Sequence, residues 1–138
     1  MRRRPARSVG SDAVVVRVEI ENRSGADVDA NGAEELARRV LSAEGIDDGD
    51  LGLLFVGPDE MRTLKREHLG RDEATDVLSF PIDGREALPD GVPRQLGDAV
   101  LCPQVVGEKW RAPLVHGLLH LLGYDHGEAM AAREEALR

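Results

Sequence analysis

Three of the four histidines in this chain of 138 residues fall within one short stretch, His116-Gly117-Leu118-Leu119-His120-Leu121-Leu122-Gly123-Tyr124-Asp125-His126. The spacing is H-x3-H-x5-H. On a helix, residues i and i+4 stand one above the other, so His116 and His120 share a face. Imidazoles so placed can both reach one metal ion at about 2.0–2.1 Å. Gly123 tolerates a left-handed backbone, so the helix can end there and the chain can turn back, bringing His126 to the same ion. Three protein ligands leave a fourth position open, which marks a catalytic rather than a structural site. Water in that position would have its pKa lowered toward about 7, and the same ion could polarise a phosphoryl or carbonyl oxygen. The expectation is a hydrolase with one Zn2+ per chain, held by His116, His120 and His126. A single histidine on an apolar helix is usually an ordinary core residue. Three, with a glycine placed to redirect the chain, are hard to explain without a metal.

The same H-x3-H-x2-G-x2-H spacing occurs in metzincin proteases, where a glutamate follows the first histidine and acts as general base. Here that position is Gly117. A zinc hydrolase is indicated, and an ordinary protease is not. Asp125, next to the third histidine, is a candidate general base for catalysis; its plainer role is to fix the loop by accepting backbone amides. Tyr124 reads as packing. Ser79 has no neighbouring base, so no nucleophile is proposed. His68 reads as a surface helix residue, and Trp110 as core, although a lone Trp can also stack on a base.

These residues must be positioned by a small set of elements. Val14, Val16, Val18 and Ile20 alternate as in a strand with one buried face. Asn31 with Glu34 resembles a capping box opening a helix, Leu36, Val40 and Leu41 follow at helical spacing, and Gly45 ends it. Leu51 to Val56 reads as a buried strand. Pro58-Asp59-Glu60 opens a second helix with Met61, Leu64 and Leu69 facing inward. Asp76 to Ile82 is a strand stopped by Pro81, 83–95 a loop, and Ala99 to Cys102 a short strand. Leu114 to Leu122 is a strongly apolar helix, and Gly127 to Arg138 a polar closing one. Pro113 is tolerated only in a first turn, so the metal helix should begin almost at His116. The order β-α-β-α-β-β-α-α predicts an α/β (α+β) fold: one small domain whose mixed sheet of about four strands packs against helices. The metal site would lie on a central helix and the loop that follows it.

Composition bounds the rest. Hydrophobic residues make up 41% of the chain and charged ones 32%, as in a soluble globular domain rather than a disordered one. One cysteine, Cys102, excludes an intramolecular disulfide and points to a reducing, cytoplasmic setting. Residues 1–12 begin with Met1-Arg2-Arg3-Arg4 but carry no apolar core of a signal peptide, so they read as a flexible basic tail before a domain at 13–138. No run approaches the roughly 18 apolar residues of a membrane span. The net charge of −8 argues mildly against non-specific nucleic-acid binding, and no DNA partner is expected. The most basic stretch outside the tail, Arg62, Lys65, Arg66 and Arg71, is a candidate phosphate-binding face or a solvated helix surface.

Three blocks carry a more specific signal. They are Thr75-Asp76-Val77-Leu78-Ser79-Phe80-Pro81, then Leu96-Gly97-Asp98-Ala99-Val100-Leu101-Cys102, then His116 to His126. In order and content the sequence resembles the YbeY family of bacterial endoribonucleases (rRNA maturation factors) over roughly residues 50 to 135. The resemblance implies a single-strand-specific endoribonuclease acting in 16S rRNA 3′-end maturation, ribosome quality control and translation. It implies zinc on His116, His120 and His126, a small α/β fold with the metal at the end of a cleft, and a ribosomal partner. It raises the weight of Arg62, Lys65, Arg66 and Arg71 as RNA contacts. Asp98, inside the second block, is a candidate to orient a ligand histidine, or else caps a turn before its strand. Some positions differ from the family pattern. Leu69 stands where the family has an arginine linked to catalysis, Ala74 replaces the usual proline, and the link from Val106 to Val115 is short. Two other readings remain open: a zinc peptidase or amidase, and a ribosome-associated protein that keeps zinc for stability and cuts little.

Overall fold

The alternating segment near the start forms the strand β1, Val16–Asn22, in a computed structural model that describes residues 15–69, 77–125 and 127–137. The elements that follow are α1 (Ala30–Ala43), β2 (Gly49–Phe55), α2 (Pro58–Leu69), β3 (Val77–Pro81), β4 (Gln95–Leu101), α3 (Pro103–Val106), α4 (Arg111–Leu121) and α5 (Glu128–Leu137). The strands make one mixed sheet in the order β1-β2-β4-β3. β1, β2 and β4 are parallel, while β3 pairs antiparallel to β4, with Ser79 opposite Ala99 and Phe80 opposite Asp98. The described residues form a single small α/β domain with four strands and five helices.

Alternation along the strands divides the core in two. Leu51, Leu53, Phe55, Val77, Ala99 and Leu101 join α1, α4 and α5 on one face of the sheet. Val56, Leu78, Val100 and Cys102 join Met61 of α2 on the other. α4 is the most apolar of the helices, because neighbours surround it. Leu114, Leu118 and Leu119 are fully buried, and the helix packs on α1, β3, β4 and α5.

Local signals explain most boundaries, and three differ from the sequence reading. Asp29 rather than Asn31 caps α1, its carboxylate accepting from the Gly32 amide at 2.9 Å. An aspartate two residues earlier serves equally well, and a Cβ on Gly32 would collide with that carboxylate at 2.3 Å. β4 runs from Gln95 rather than Ala99, since Leu96 has a core site of its own. α4 begins at Arg111, a full turn before His116, which leaves Pro113 inside the first turn, where its missing amide costs nothing. The short helix α3 lies in the link before α4. Gly45 ends α1 as expected, at φ 76°, with Gly45 N–H on Ser42 O and Ile46 N–H on Leu41 O. That pair of bonds is a Schellman motif.

Candidate metal centre

The two histidines of α4 meet at their Nε2 atoms, 3.1 Å apart, with the rings nearly perpendicular at 79°. The i, i+4 spacing places both side chains on one flank of the helix. The far nitrogen of each ring has an oxygen partner. His116 Nδ1 lies 2.5 Å from Glu134 Oε1 on α5, and His120 Nδ1 lies 2.9 Å from the backbone carbonyl of Tyr124. A carboxylate and a carbonyl are both acceptors, so each Nδ1 carries the proton and donates it. Each Nε2 then presents its lone pair toward the other. Two such lone pairs held this close are suited to share a cation. Two Zn–N bonds of about 2.0–2.1 Å meeting at a tetrahedral angle place their nitrogens about 3.3–3.4 Å apart, close to the separation found. Histidine ligands usually donate the other ring N–H to a carboxylate or carbonyl in this way. The donor chemistry of the pair fits Zn2+.

The turn after α4 makes this possible. Gly123 takes φ 96°, and the helix closes with Gly123 N–H on His120 O and Tyr124 N–H on Leu119 O. This second Schellman motif folds the chain back so that the Tyr124 carbonyl faces His120. Asp125 follows, exposed to solvent. His126, the third expected ligand, lies outside the described residues, as do Arg71, Thr75 and Asp76 of the expected site and blocks.

At Gly117, between the histidines, α4 packs closely against β3. A Cβ there would stand 2.7 Å from Val77 Cγ2 and 3.2 Å from Ser79 Oγ. Ser79 donates its hydroxyl to the Gly117 carbonyl at 2.7 Å, pinning the helix to the edge strand. The position has no room for a glutamate, which separates this site physically from the metzincin arrangement. Ser79 thus has a structural use.

Behind the histidines lies a buried carboxylate that the sequence reading missed. Glu44, at the C-cap of α1, has a side chain only 3% exposed. Its Oε1 accepts from Tyr124 Oη at 2.7 Å and Arg85 Nη2 at 2.7 Å, and its Oε2 from Arg133 Nε at 2.7 Å. Burial disfavours the charged carboxylate, but the Tyr124 and Arg133 hydrogen bonds and the two guanidinium charges outweigh it and hold the Glu44 pKa below its usual value. The Tyr124 hydroxyl is pushed up, chiefly by its hydrogen bond to Glu44.

One expected role is narrowed and one is corrected. Asp98 alternates with Ala99 and Leu101, so it sits on the sheet face of Val100 and Cys102, opposite the one α4 covers. The far nitrogens of the two α4 histidines have Glu134 and the Tyr124 carbonyl as partners, and His126, the other candidate for Asp98 to orient, lies outside the described residues. Lys65 does not join an exposed basic face. It follows Met61 by one turn, its residue is 3% exposed, and its Nζ is buried with no hydrogen-bond partner among the described residues. Arg62 and Arg66 are exposed on α2, i and i+4 on one flank. His68 is exposed but packs edge-on against Phe80 at 4.7 Å. Trp110 packs on the core with the Arg111 guanidinium 4.4 Å above its ring. Glu134 had no spacing signal, because a contact between two helices leaves no periodic trace in the sequence.

Comparison with known proteins agrees with this architecture. The family model of endoribonuclease YbeY matches residues 19–137. An endoribonuclease YbeY from Salinispora tropica is 39% identical over 137 residues, covering 85% of this chain and 87% of the relative. One from Acidothermus cellulolyticus is 43% identical over 136 residues, with 85% and 83% covered. A Thermotoga maritima protein of known solution structure shares the fold, with TM-score 0.52 at 23% identity over 89% of this chain and 86% of that one.

Proposed function

The chain belongs to the YbeY family of endoribonucleases, and on that premise we propose that it is a zinc-dependent nuclease. It cuts single-stranded RNA, and its physiological work is 16S rRNA 3′-end maturation and ribosome quality control. The observation that carries the metal reading is the facing pair of Nε2 atoms, 3.1 Å apart, with both Nδ1 atoms held by oxygen acceptors. His116, His120 and His126 are the residues that would hold the ion. A bound Zn2+ supplies Lewis acidity at a phosphodiester and a lowered pKa for a water ligand. Glu134 and the Tyr124 carbonyl fix the two tautomers, so both rings present Nε2 without reorganising. Asp125, exposed and next in sequence to His126, is the proposed proton acceptor. The flank of α2 bearing Arg62 and Arg66 offers positive charge to the RNA backbone.

The test pairs metal content with cleavage. Purified wild type should contain about one zinc per chain and should cut a single-stranded RNA, with cleavage lost on chelation and restored by zinc. His120→Ala should lose both metal and cleavage, and casein should stay intact throughout. Cleavage that survives full chelation, or wild type that takes up no metal, would refute the reading. Zinc uptake with RNA binding but no cutting would favour the ribosome-associated binding role, which the leucine at position 69 makes worth testing.

A further inference from the structure

We infer that Glu44 is a positioning residue for both metal-facing histidines, acting through a closed ring of contacts that its buried carboxylate holds together. The inference rests on the metal reading above but is testable apart from it. The ring runs from His120 Nδ1 to the Tyr124 carbonyl at 2.9 Å, and from the Tyr124 hydroxyl to Glu44 Oε1 at 2.7 Å. Glu44 Oε2 accepts from Arg133 Nε at 2.7 Å. The next residue, Glu134, accepts from His116 Nδ1 at 2.5 Å, and the two Nε2 atoms, 3.1 Å apart, close the ring. One carboxylate therefore anchors Tyr124, behind one imidazole, and Arg133, the chain neighbour of the Glu134 behind the other.

Two features separate this role from general stabilisation. First, Glu44 is electrostatically ill placed: it caps the C-terminus of α1, where the helix dipole disfavours negative charge, and it is buried. Its two guanidiniums and the phenol satisfy it, but a buried ion pair of this kind is weak as a stability device. It does specify geometry on the two histidine arms, because the Tyr124 hydroxyl and the Arg133 guanidinium must each sit at a fixed distance and direction. Second, α5 has a small apolar anchor. Among its described residues only Met130 and Leu137 are buried, so the Arg133 contact with Glu44 helps to set where Glu134 stands. Arg85 provides an internal control. It binds the same carboxylate at 2.7 Å and the Glu44 backbone carbonyl at 2.9 Å, yet it belongs to the β3–β4 loop and lies on neither histidine arm of the ring.

The experiment compares Glu44→Gln, Tyr124→Phe and Arg85→Met in the full chain. Zinc affinity is read by chelator competition, and the ring 15N and Nδ1–H NMR signals of His116 and His120 are read in metal-free protein. Glu44→Gln should weaken zinc binding about tenfold, at the low end of what partners behind a ligand usually cost. It should also move the signals of both rings. Tyr124→Phe deletes one hydroxyl, is the milder change should Glu44→Gln fail to fold, and should move His120 more than His116. Arg85→Met should lower the urea midpoint while leaving zinc affinity and ring signals near wild type. Wild-type zinc affinity in both Glu44→Gln and Tyr124→Phe, or an equal loss in Arg85→Met, would overturn the inference. If wild type itself binds no zinc, the metal reading falls, but the NMR arm still decides: unmoved histidine signals in Glu44→Gln and Tyr124→Phe would overturn the positioning role on its own.

Discussion

Gly117→Ala sets two effects of opposite sign against each other. In a helix interior, alanine is favoured over glycine by about 0.8–1.0 kcal/mol, so propensity alone predicts a more stable protein. The packing predicts the reverse. A Cβ at this position would stand 2.7 Å from Val77 Cγ2 and 3.2 Å from Ser79 Oγ, where carbon atoms prefer about 3.5–4.0 Å. Val77 is β-branched, 7% exposed and on a strand, so it has little freedom to turn aside. α4 must then lift from β3, stretching the Ser79 bond to the Gly117 carbonyl. Overpacking of this kind costs about 1–3 kcal/mol. We expect a net loss of up to about 2 kcal/mol after the propensity gain is subtracted. The assay is urea denaturation in chelator, so that metal binding does not enter the stability, with the slope checked for constancy. Val77→Ala removes the colliding methyl, and in that background Gly117→Ala should become neutral or stabilising. The cycle should therefore show a coupling of about 2 kcal/mol, within the range for residues in contact. Additive single effects, or a Gly117→Ala protein more stable than wild type, would refute the close approach of α4 to β3.

Other expectations follow from the same contacts. Glu134→Gln keeps the volume but turns a charged acceptor into a neutral one at His116 Nδ1, and should reduce zinc affinity by about 10-fold or more in chelator competition; equal affinity would remove Glu134 from the site. The Glu44 carboxylate has a folded-state pKa below its ordinary 4.5, so its stabilisation is complete above that value and is lost as pH falls through the lowered folded value. The stability advantage of wild type over Glu44→Gln should therefore shrink over that acidic window; an advantage that does not change with pH there would contradict the assignment. Lys65→Met removes a buried ammonium that has no acceptor among the described residues, so the urea midpoint should hold or rise while affinity for single-stranded RNA stays unchanged. Arg62→Glu with Arg66→Glu should instead weaken RNA binding and lower its salt slope by about 0.7 for each phosphate that is no longer neutralised; a slope equal to that of wild type would remove α2 from the RNA surface.

Signals carried by neighbours in sequence were legible, and those carried by distant contacts were not. Alternation at Val16, Val18 and Ile20 identified the first strand, and all three pack against the core as partly buried residues. Gly45 and Gly123 announced helix ends because the left-handed conformation is a local requirement that the residue itself meets. The same local logic placed Asp59 and Glu60 in a first turn. It misjudged the cap of α1, where Asp29 and Asn31 are both good caps and the choice falls to the one whose carboxylate reaches the Gly32 amide. It also misjudged Lys65. A basic residue on a mostly polar helix reads as exposed, and only the position of the sheet beneath α2 makes its flank the inner one.

The site shows the same division, and it bears on what kind of hydrolase this is. The His116–His120 pair could be read from one turn of helix. The residues that decide how the pair behaves come from far along the chain: Glu44 from the end of α1, and Glu134 from α5. Gly117 joins the two levels. In the sequence it is an absence, the missing glutamate of a protease motif. In the structure it is a contact surface, since α4 can pin itself to β3 through Ser79 only if nothing projects from residue 117. A glutamate there would have to enter the sheet rather than the space in front of the histidines. The helix that bears the two histidines is thus docked through the face of residue 117, and on the zinc reading proposed above a proton acceptor would have to come from elsewhere. The chain offers the turn through Tyr124 and Asp125, which is tied to Glu44 by the Tyr124 hydroxyl and to His120 by the Tyr124 carbonyl.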